Sequence, residues 1–272
     1  MSLRIQNNIA AMTAHRNLTI SDAAMGRSLE RLSSGFRINS AKDDAAGMAI
    51  SQKFRANIAS FKVAQRNITE ANSFLQTAEG GMDTIGNILT RMKELATQSA
   101  SEHIDDTSRG KINDEFTQLY EEIGRIVATT QYGSTTLIDG TNTSIAFQIG
   151  AENNANNRLT VSLADLSDIG LASTAIDTAT DAQTALDDID AAIDAVSNGR
   201  GAIGASQNRL TYASANLQIT VENLTASESV IRDVDMAAEM TTFTKHQIFM
   251  QAGTAMLAQA NMAPQNVLSL FG

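Results

Sequence analysis

The chain has 272 residues, 43% of them apolar and 18% charged, so it is too apolar for wholesale disorder and long enough to bury a core. It has no cysteine, no tryptophan and a single proline at 264, which excludes disulfides, thiolate catalysis and Cys-based zinc sites and lets helices run long. The net charge of −10 is uneven: residues 1–70 carry +5, the rest −15. Asp165, Asp168, Asp177, Asp181, Asp187, Asp188, Asp190 and Asp194 form an acidic centre that fits a solvated helix face and repels nucleic acid.

No stretch approaches the ~18 apolar residues that a membrane span needs, so no membrane partner is expected. The start Met1-Ser2-Leu3-Arg4-Ile5-Gln6-Asn7-Asn8 lacks a secretory apolar core. The chain is therefore expected to stay in the cytoplasm or to leave without a cleaved Sec signal.

Met25, Leu29, Leu32 and Phe36 form a short N-terminal apolar stripe at heptad spacing. Ser40 followed by Asp43 reads as a capping box opening a long helix, with Asp43 and Asp44 placing negative charge in its first turn. Alternate steps of four and three then give Ile50, Phe54, Asn57, Phe61, Ala64, Ile68, Ala71, Leu75, Ala78, Met82, Ile85, Leu89, Met92 and Ala96. Asn57 alone is polar. This 3.5-residue period predicts a helix wound with partners over roughly 70 Å. Gly80, Gly81 and Gly86 suggest close helix approach or a bend.

A turn at Asp105, Asp106, Thr107 and Ser108 precedes a second helix on Ile112, Phe116, Leu119, Ile123 and Ile126, a hairpin partner for the first. From 131 the period becomes two. Ile145, Phe147 and Ile149, then Leu159, Val161 and Leu163, predict a small β-hairpin within about 131–165, preceded by an Asp139-Gly140 turn.

Thr178 with Asp181 caps the next long helix, whose seven-residue row is Ala182, Ile189, Val196, Ile203, Leu210, Leu217, Leu224 and Ile231. The companion row is mixed: Leu186, Ile193 and Val221 are apolar, while Arg200, Gln207, Ser214 and Glu228 are polar. Gly199, Gly201 and Gly204 suggest a bend there. Phe249, Met256 and Ala263 form a short C-terminal stripe. Such terminal stripes can pair with each other, and they also read as surfaces awaiting a partner.

Groupings that carry chemistry are missing from the sequence. His15, His103 and His246 stand outside any metal-ligand spacing, and no P-loop, GxGxxG or GxSxG occurs. Gly199-Arg200-Gly201-Ala202-Ile203-Gly204 sits mid-helix with no strand before it, so it is no phosphate cradle. No catalytic residue, metal or cofactor is expected, and a helical-bundle enzyme would need a polar pocket where these rows are aliphatic.

Leu29-Glu30-Arg31-Leu32-Ser33-Ser34-Gly35-Phe36-Arg37-Ile38-Asn39-Ser40-Ala41-Lys42-Asp43-Asp44-Ala45-Ala46-Gly47 closely resembles the N-terminal signature of bacterial flagellins. Ser206-Gln207-Asn208-Arg209-Leu210, Ser229-Val230-Ile231-Arg232-Asp233-Val234-Asp235-Met236 and Pro264-Gln265-Asn266-Val267-Leu268-Ser269-Leu270 resemble the C-terminal half of that family. The similar regions cover roughly residues 3–140 and 200–272. Phe36 stands where Leu is usual, Gly133-Ser134 where Asn-Gly is usual, and Phe271-Gly272 closes the chain in place of a basic residue.

The resemblance implies a mainly α fold: a long antiparallel coiled-coil or helical-bundle rod with a small β-hairpin, and the termini paired as a second coiled coil. Residues 1–42 with 235–272 would form the inner terminal domain of a filament core, and 43–234 the outer rod, without variable outer domains. It implies a structural subunit that polymerises with itself for swimming motility and leaves by the flagellum's own type III export route. Its further partners would be an export chaperone, the cap and the hook-junction proteins.

The assembly residues expected on this basis are Ile5, Ile9, Met25, Leu29, Leu32, Ile248, Phe249, Met256, Leu257, Val267 and Leu268. The resemblance also suggests recognition by the innate immune flagellin receptor through Arg91, Leu95 and Glu115, with Lys93 replacing the Arg often found beside them. The alternatives are a hook-filament junction protein, a spirochaete-type periplasmic core flagellin and, from another class, a coiled-coil adhesin or adaptor.

Overall fold

The structure, a computed structural model, describes residues 7–171 and 174–268, the last six of them as helix backbone. Five α-helices carry the chain: α1 Ile9–Ser34, α2 Ala45–Ser99, α3 Asp106–Thr129, α4 Ala179–Arg232 and α5 Met236–Leu268. Four short strands lie between α3 and α4: β1 Gln131–Tyr132, β2 Thr135–Thr136, β3 Ser144–Gln148 and β4 Arg158–Ser162. Two compact units result, residues 57–222 in one, and residues up to 56 with those from 223 in the other. The mainly α class with a small β region is therefore as expected.

In the central unit, the α2 row from Ala64 through Ile68, Ala71, Leu75, Ala78, Met82, Ile85, Leu89 and Met92 to Ala96 is buried at every step. Earlier in α2 the row is wetter: Phe54, Asn57 and Phe61 are half-buried and Ile50 is exposed, because fewer neighbours cover that end. α3 starts at Asp105, whose carboxylate accepts from Ser108 N at 3.2 Å, and buries Phe116, Ile123 and Val127. It runs antiparallel to α2, since Glu115 meets Arg91 while Thr130, at its C-terminal cap, lies against Gly81.

α4 also runs antiparallel to α2, as three polar pairs record: Lys93 with Asp190, Asp83 with Arg200 at 3.0 Å, and Glu79 with Gln207 at 3.2 Å. The Thr178 and Asp181 box forms reciprocally. Asp181 N donates to Thr178 Oγ1 at 3.1 Å, and Thr178 Oγ1 donates to Asp181 Oδ2 at 2.6 Å. Ala182, Ile189, Val196, Ile203, Leu210 and Leu217 are buried, while Leu224 and Ile231 are half-buried. The glycine expectation holds only in part. A Cβ on Gly81 or Gly199 would meet a neighbour within 3 Å, whereas Gly80, Gly86, Gly201 and Gly204 face open space, and both helices run on unbroken.

β3 and β4 pair antiparallel, Ile145 opposite Val161 and Phe147 opposite Leu159, so one face covers the helices. Phe147 packs edge-on against Phe74 of α2, with ring centroids 5.6 Å apart. A second, smaller hairpin, β1 with β2, turns at Gly133, whose φ of 65° suits glycine. Sequence periodicity does not reveal two-residue strands.

In the terminal unit α1 pairs with α5 as an antiparallel couple: Asn8 Nδ2 donates to Ala260 O at 2.8 Å, and Arg31 lies 3.6 Å from Glu239. Asn8 caps α1 by accepting from Ala11 N at 3.1 Å, and Gly35, with φ of 74°, ends it by donating to Arg31 O. The start of α2 differs from expectation. Ser40 and Asp43 form a turn ahead of the helix: Ser40 N and Oγ both donate to Asp43 Oδ2, at 3.0 and 2.9 Å. Asp44 is the residue that caps, accepting from Gly47 N at 2.9 Å, because the helix begins only at Ala45. Among the described residues, no helix is long and apolar enough to cross a membrane.

Candidate functional site

The α1 and α5 seam is narrow. Leu18, Ser21, Met25, Ser28 and Leu32 of α1 turn inward, and Phe243, His246, Met250, Gly253, Leu257 and Ala260 of α5 meet them at spacings of three and four. Ser28 is buried, and a Cβ on Gly253 would sit 2.8 Å from Leu18 Cδ1, so small residues let the helices close in.

The opposite faces stay apolar. Ile9 and Leu29 on α1, and Ile248, Phe249 and Met256 on α5, are 48% to 64% exposed. Met240, Ile248 and Phe249 line a groove of about 420 Å³ with Thr241, Thr244 and Lys245, whose ammonium lies 5.6 Å from the Phe249 ring centre. Large apolar side chains clustered on an exposed face mark a surface that a partner covers. The α1·α5 pair covers only one side of each helix, which leaves area for more than one further neighbour.

The eleven expected assembly residues therefore divide. Met25, Leu32 and Leu257 are half-buried in the α1·α5 seam, while Ile9, Leu29, Ile248, Phe249 and Met256 face outward. Ile5 and the side chains of Val267 and Leu268 lie outside the described residues. Met12, Ile20, Met240 and Met262 are also exposed and escaped the sequence reading. Heptad counting looks for one stripe, and the signal for these was apolar residues off the stripe.

A clasp ties the two connections of the terminal unit together. Phe36 and Asp233 form an antiparallel bridge, Arg37 N donates to Arg232 O at 2.7 Å and Val234 N to Gly35 O at 3.0 Å. The Arg37 guanidinium donates to Ile231 O at 2.6 Å. Glu228 gathers Arg232 at 3.9 Å, Arg55 at 3.8 Å and the Ser51 hydroxyl at 3.4 Å. Asp235 then caps α5, accepting from Ala237 N and Ala238 N at 2.9 and 3.1 Å.

The expected recognition residues lie in the central unit. Arg91 donates to Glu94 at 2.9 Å and to Glu115 at 2.8 and 3.0 Å, and these two carboxylates hold its guanidinium pKa above the ordinary value. Lys93 is tied to Asp190. Leu95, only 2% exposed, lies in the core, so this residue holds the helix in place and offers no surface.

The sequence matches two family models. That of the bacterial flagellin N-terminal helical region matches residues 5–143, and that of the C-terminal helical region matches residues 186–271. A flagellin of Halalkalibacterium halodurans is 48% identical, over 98% of this chain and 99% of its own length. A flagellar filament 30.7 kDa core protein of Treponema maltophilum is 38% identical, over 98% and 99%. The crystal structure of Bacillus cereus flagellin superposes with a TM-score of 0.51 at 29% identity, over 56% of this chain and 88% of that one.

Proposed function

The chain belongs to the bacterial flagellin family and is a structural subunit of the flagellar filament, and from that premise we propose how its parts divide the work. The terminal helices form the inner domain, assigned to residues 1–42 and 235–272, and residues 43–234 form the rod outside it. Ile9, Leu29, Ile248, Phe249 and Met256 are the surfaces that neighbouring copies cover, and Ile5, Val267 and Leu268 are further contacts expected from the resemblance. Met25, Leu32 and Leu257 support these surfaces by holding α1 to α5. The observation that carries this reading is the apolar outer face of α5, bare in the single chain.

Such a subunit works by packing and has no turnover. Its proposed place is extracellular, reached through the flagellar export apparatus without a cleaved signal peptide, with an export chaperone, the cap and the hook-junction proteins as partners along the way. Recognition by an innate immune receptor would use the exposed Arg91 and Glu115, with Leu95 acting from beneath.

Seeded or precipitant-induced polymerisation of purified full chain, followed by sedimentation and negative-stain imaging, tests the reading. Long uniform filaments are expected. Stable dimers that never elongate would favour an adaptor, and monomer that adds to hook ends without elongating would favour a junction protein.

A further inference from the structure

Among the described residues the methionines divide by exposure. Met82 and Met92 lie in the central core with no exposed surface. Met12 on α1 and Met236, Met240, Met256 and Met262 on α5 are 48% to 69% exposed. α5 alone carries five methionines in 33 residues, and four of them face outward. With no cysteine in the chain, these thioethers are the most exposed sulfurs among the described residues.

Resting on the assembly reading above, we propose that the outward methionines of α1 and α5 are oxidation sites that stop a free subunit from joining a filament. The co-substrate is a two-electron oxidant of the peroxide class. The sulfur lone pair attacks one peroxide oxygen, the O–O bond breaks, an S–O bond forms and water leaves. The thioether loses two electrons and hydrogen peroxide gains them. The product, methionine sulfoxide, carries a strong dipole on a side chain that assembly would bury in an apolar contact.

The geometry makes the effect depend on state. In the free subunit Met240 lines the open groove beside Ile248 and Phe249, and Met256 and Met262 stand further along the same helix, so an oxidant reaches them. In a filament, neighbouring copies cover those faces and shield the sulfurs. Met82 and Met92 stay protected in both states, because α2, α3 and α4 enclose them. Oxidation therefore acts on assembly and spares the fold of the central unit. Repair needs a dithiol-driven reductase acting on the sulfoxide, which restores the thioether and releases water.

The test uses full-length chain in two batches, one treated with hydrogen peroxide as monomer and one as preformed filament. Peptide mass spectrometry counts the added oxygen at each methionine, and sedimentation measures polymerisation. Monomer is expected to gain oxygen at Met12, Met236, Met240, Met256 and Met262 and to need about tenfold or more higher concentration to polymerise. Filament is expected to gain it at those sites about tenfold more slowly.

A chain with Met12→Leu, Met236→Leu, Met240→Leu, Met256→Leu and Met262→Leu keeps the apolar contacts and is expected to polymerise equally well before and after peroxide. Treatment of oxidised wild-type monomer with sulfoxide reductase and dithiothreitol is expected to restore polymerisation, a second readout independent of that variant. Oxidised monomer that polymerises normally overturns the proposal, as does equal oxidation in monomer and filament or a failure of repair to restore assembly. Untreated monomer that never polymerises, even with seeds, overturns the assembly reading itself.

Discussion

The guanidinium of Arg232, at the end of α4, stacks over the ring of Phe36, just past the end of α1, with its central carbon 4.2 Å from the ring centre. Nearly two hundred residues of chain separate the pair, yet the contact joins the two connections through which the terminal helices leave and return. Its backbone frame is the Phe36 and Asp233 bridge, and its electrostatic anchor is Glu228. Arg suits this position because a planar cation can stack on an aromatic face and reach a carboxylate at once.

Arg232→Ala is therefore expected to loosen the clasp by about 1–2 kcal/mol, the range of a partly desolvated cation–π contact. Limited proteolysis should then cut faster within residues 35–44, while thermal unfolding of the central unit stays unchanged. Unaltered cleavage rates would show that the backbone bridge alone holds the connections.

Leu29→Asp and Phe249→Asp place a carboxylate on the outward faces of α1 and α5, where each residue is about half exposed or more. Covering an unpaired charge is costly enough to abolish assembly, whereas the free chain already has water at both positions. Sedimentation should find no polymer, and circular dichroism should find the central helices intact. Normal filament yield, or loss of monomer helicity, would contradict this.

Two glycines of α4 should respond oppositely to alanine. A Cβ on Gly199 would lie 2.8 Å from Ala164 Cβ and 3.4 Å from Met82 Cε, and Ala164 has no rotamer with which to yield. Gly201 faces open space. Gly199→Ala should lower the stability of the central unit, while Gly201→Ala should raise it by about 1 kcal/mol through helix propensity. Urea unfolding of the two variants settles the signs.

Leu95→Ala should cost about 2–5 kcal/mol by leaving a cavity, and Glu115→Ala less than about 1 kcal/mol, because its pair with Arg91 is exposed. A loss of receptor signalling in the Leu95 variant would thus need a stability measurement beside it. Equal stability of the two variants would contradict the placement of Leu95 in the core.

Acid should weaken the fold in the carboxylate range. The carboxyl of Asp43 is held below its ordinary value by the Ser40 backbone N–H, that of Asp105 by the Ser108 hydroxyl, that of Asp139 by the Thr141 hydroxyl and that of Asp165 by the Ser167 hydroxyl. A depressed folded-state pKa means that the unfolded chain binds the proton more tightly. Each group therefore contributes stability that is complete above its unfolded value of about 3.9 and is lost as pH falls through the folded value. Helicity followed by circular dichroism should be flat from pH 7 to about 5 and decline below about 4. A decline centred near pH 6 would contradict the assignment to these carboxylates.

Periodic features were legible because burial repeats. The α2 row from Ala64 to Ala96, the hairpin pairing Ile145 with Val161, and the Thr178 and Asp181 box all follow from local spacing. The sequence puts the cap of α2 at Ser40, with Asp43 and Asp44 in the first turn, and only the hydrogen bonds show that Asp43 closes a turn with Ser40 while Asp44 caps the helix. The inward face of α1 was not readable: Leu29 and Leu32 share a stripe, yet Leu29 points out and Leu32 in. α5 spreads its large apolar residues around the helix among Thr, Gln and Lys, so its pattern selects no single face. The stacking of Arg232 on Phe36 depends on chain closure over a long loop, for which local spacing carries no signal.

Hydrogen–deuterium exchange on free chain and on filament shows whether neighbouring copies cover the terminal helices, because it reads each helix separately. If copies cover the outer faces of α1 and α5, amide protection across residues 9–34 and 236–262 should rise about tenfold or more on polymerisation, while that of residues 64–96 barely changes. Filaments in which the terminal helices exchange as fast as in the free chain would contradict it.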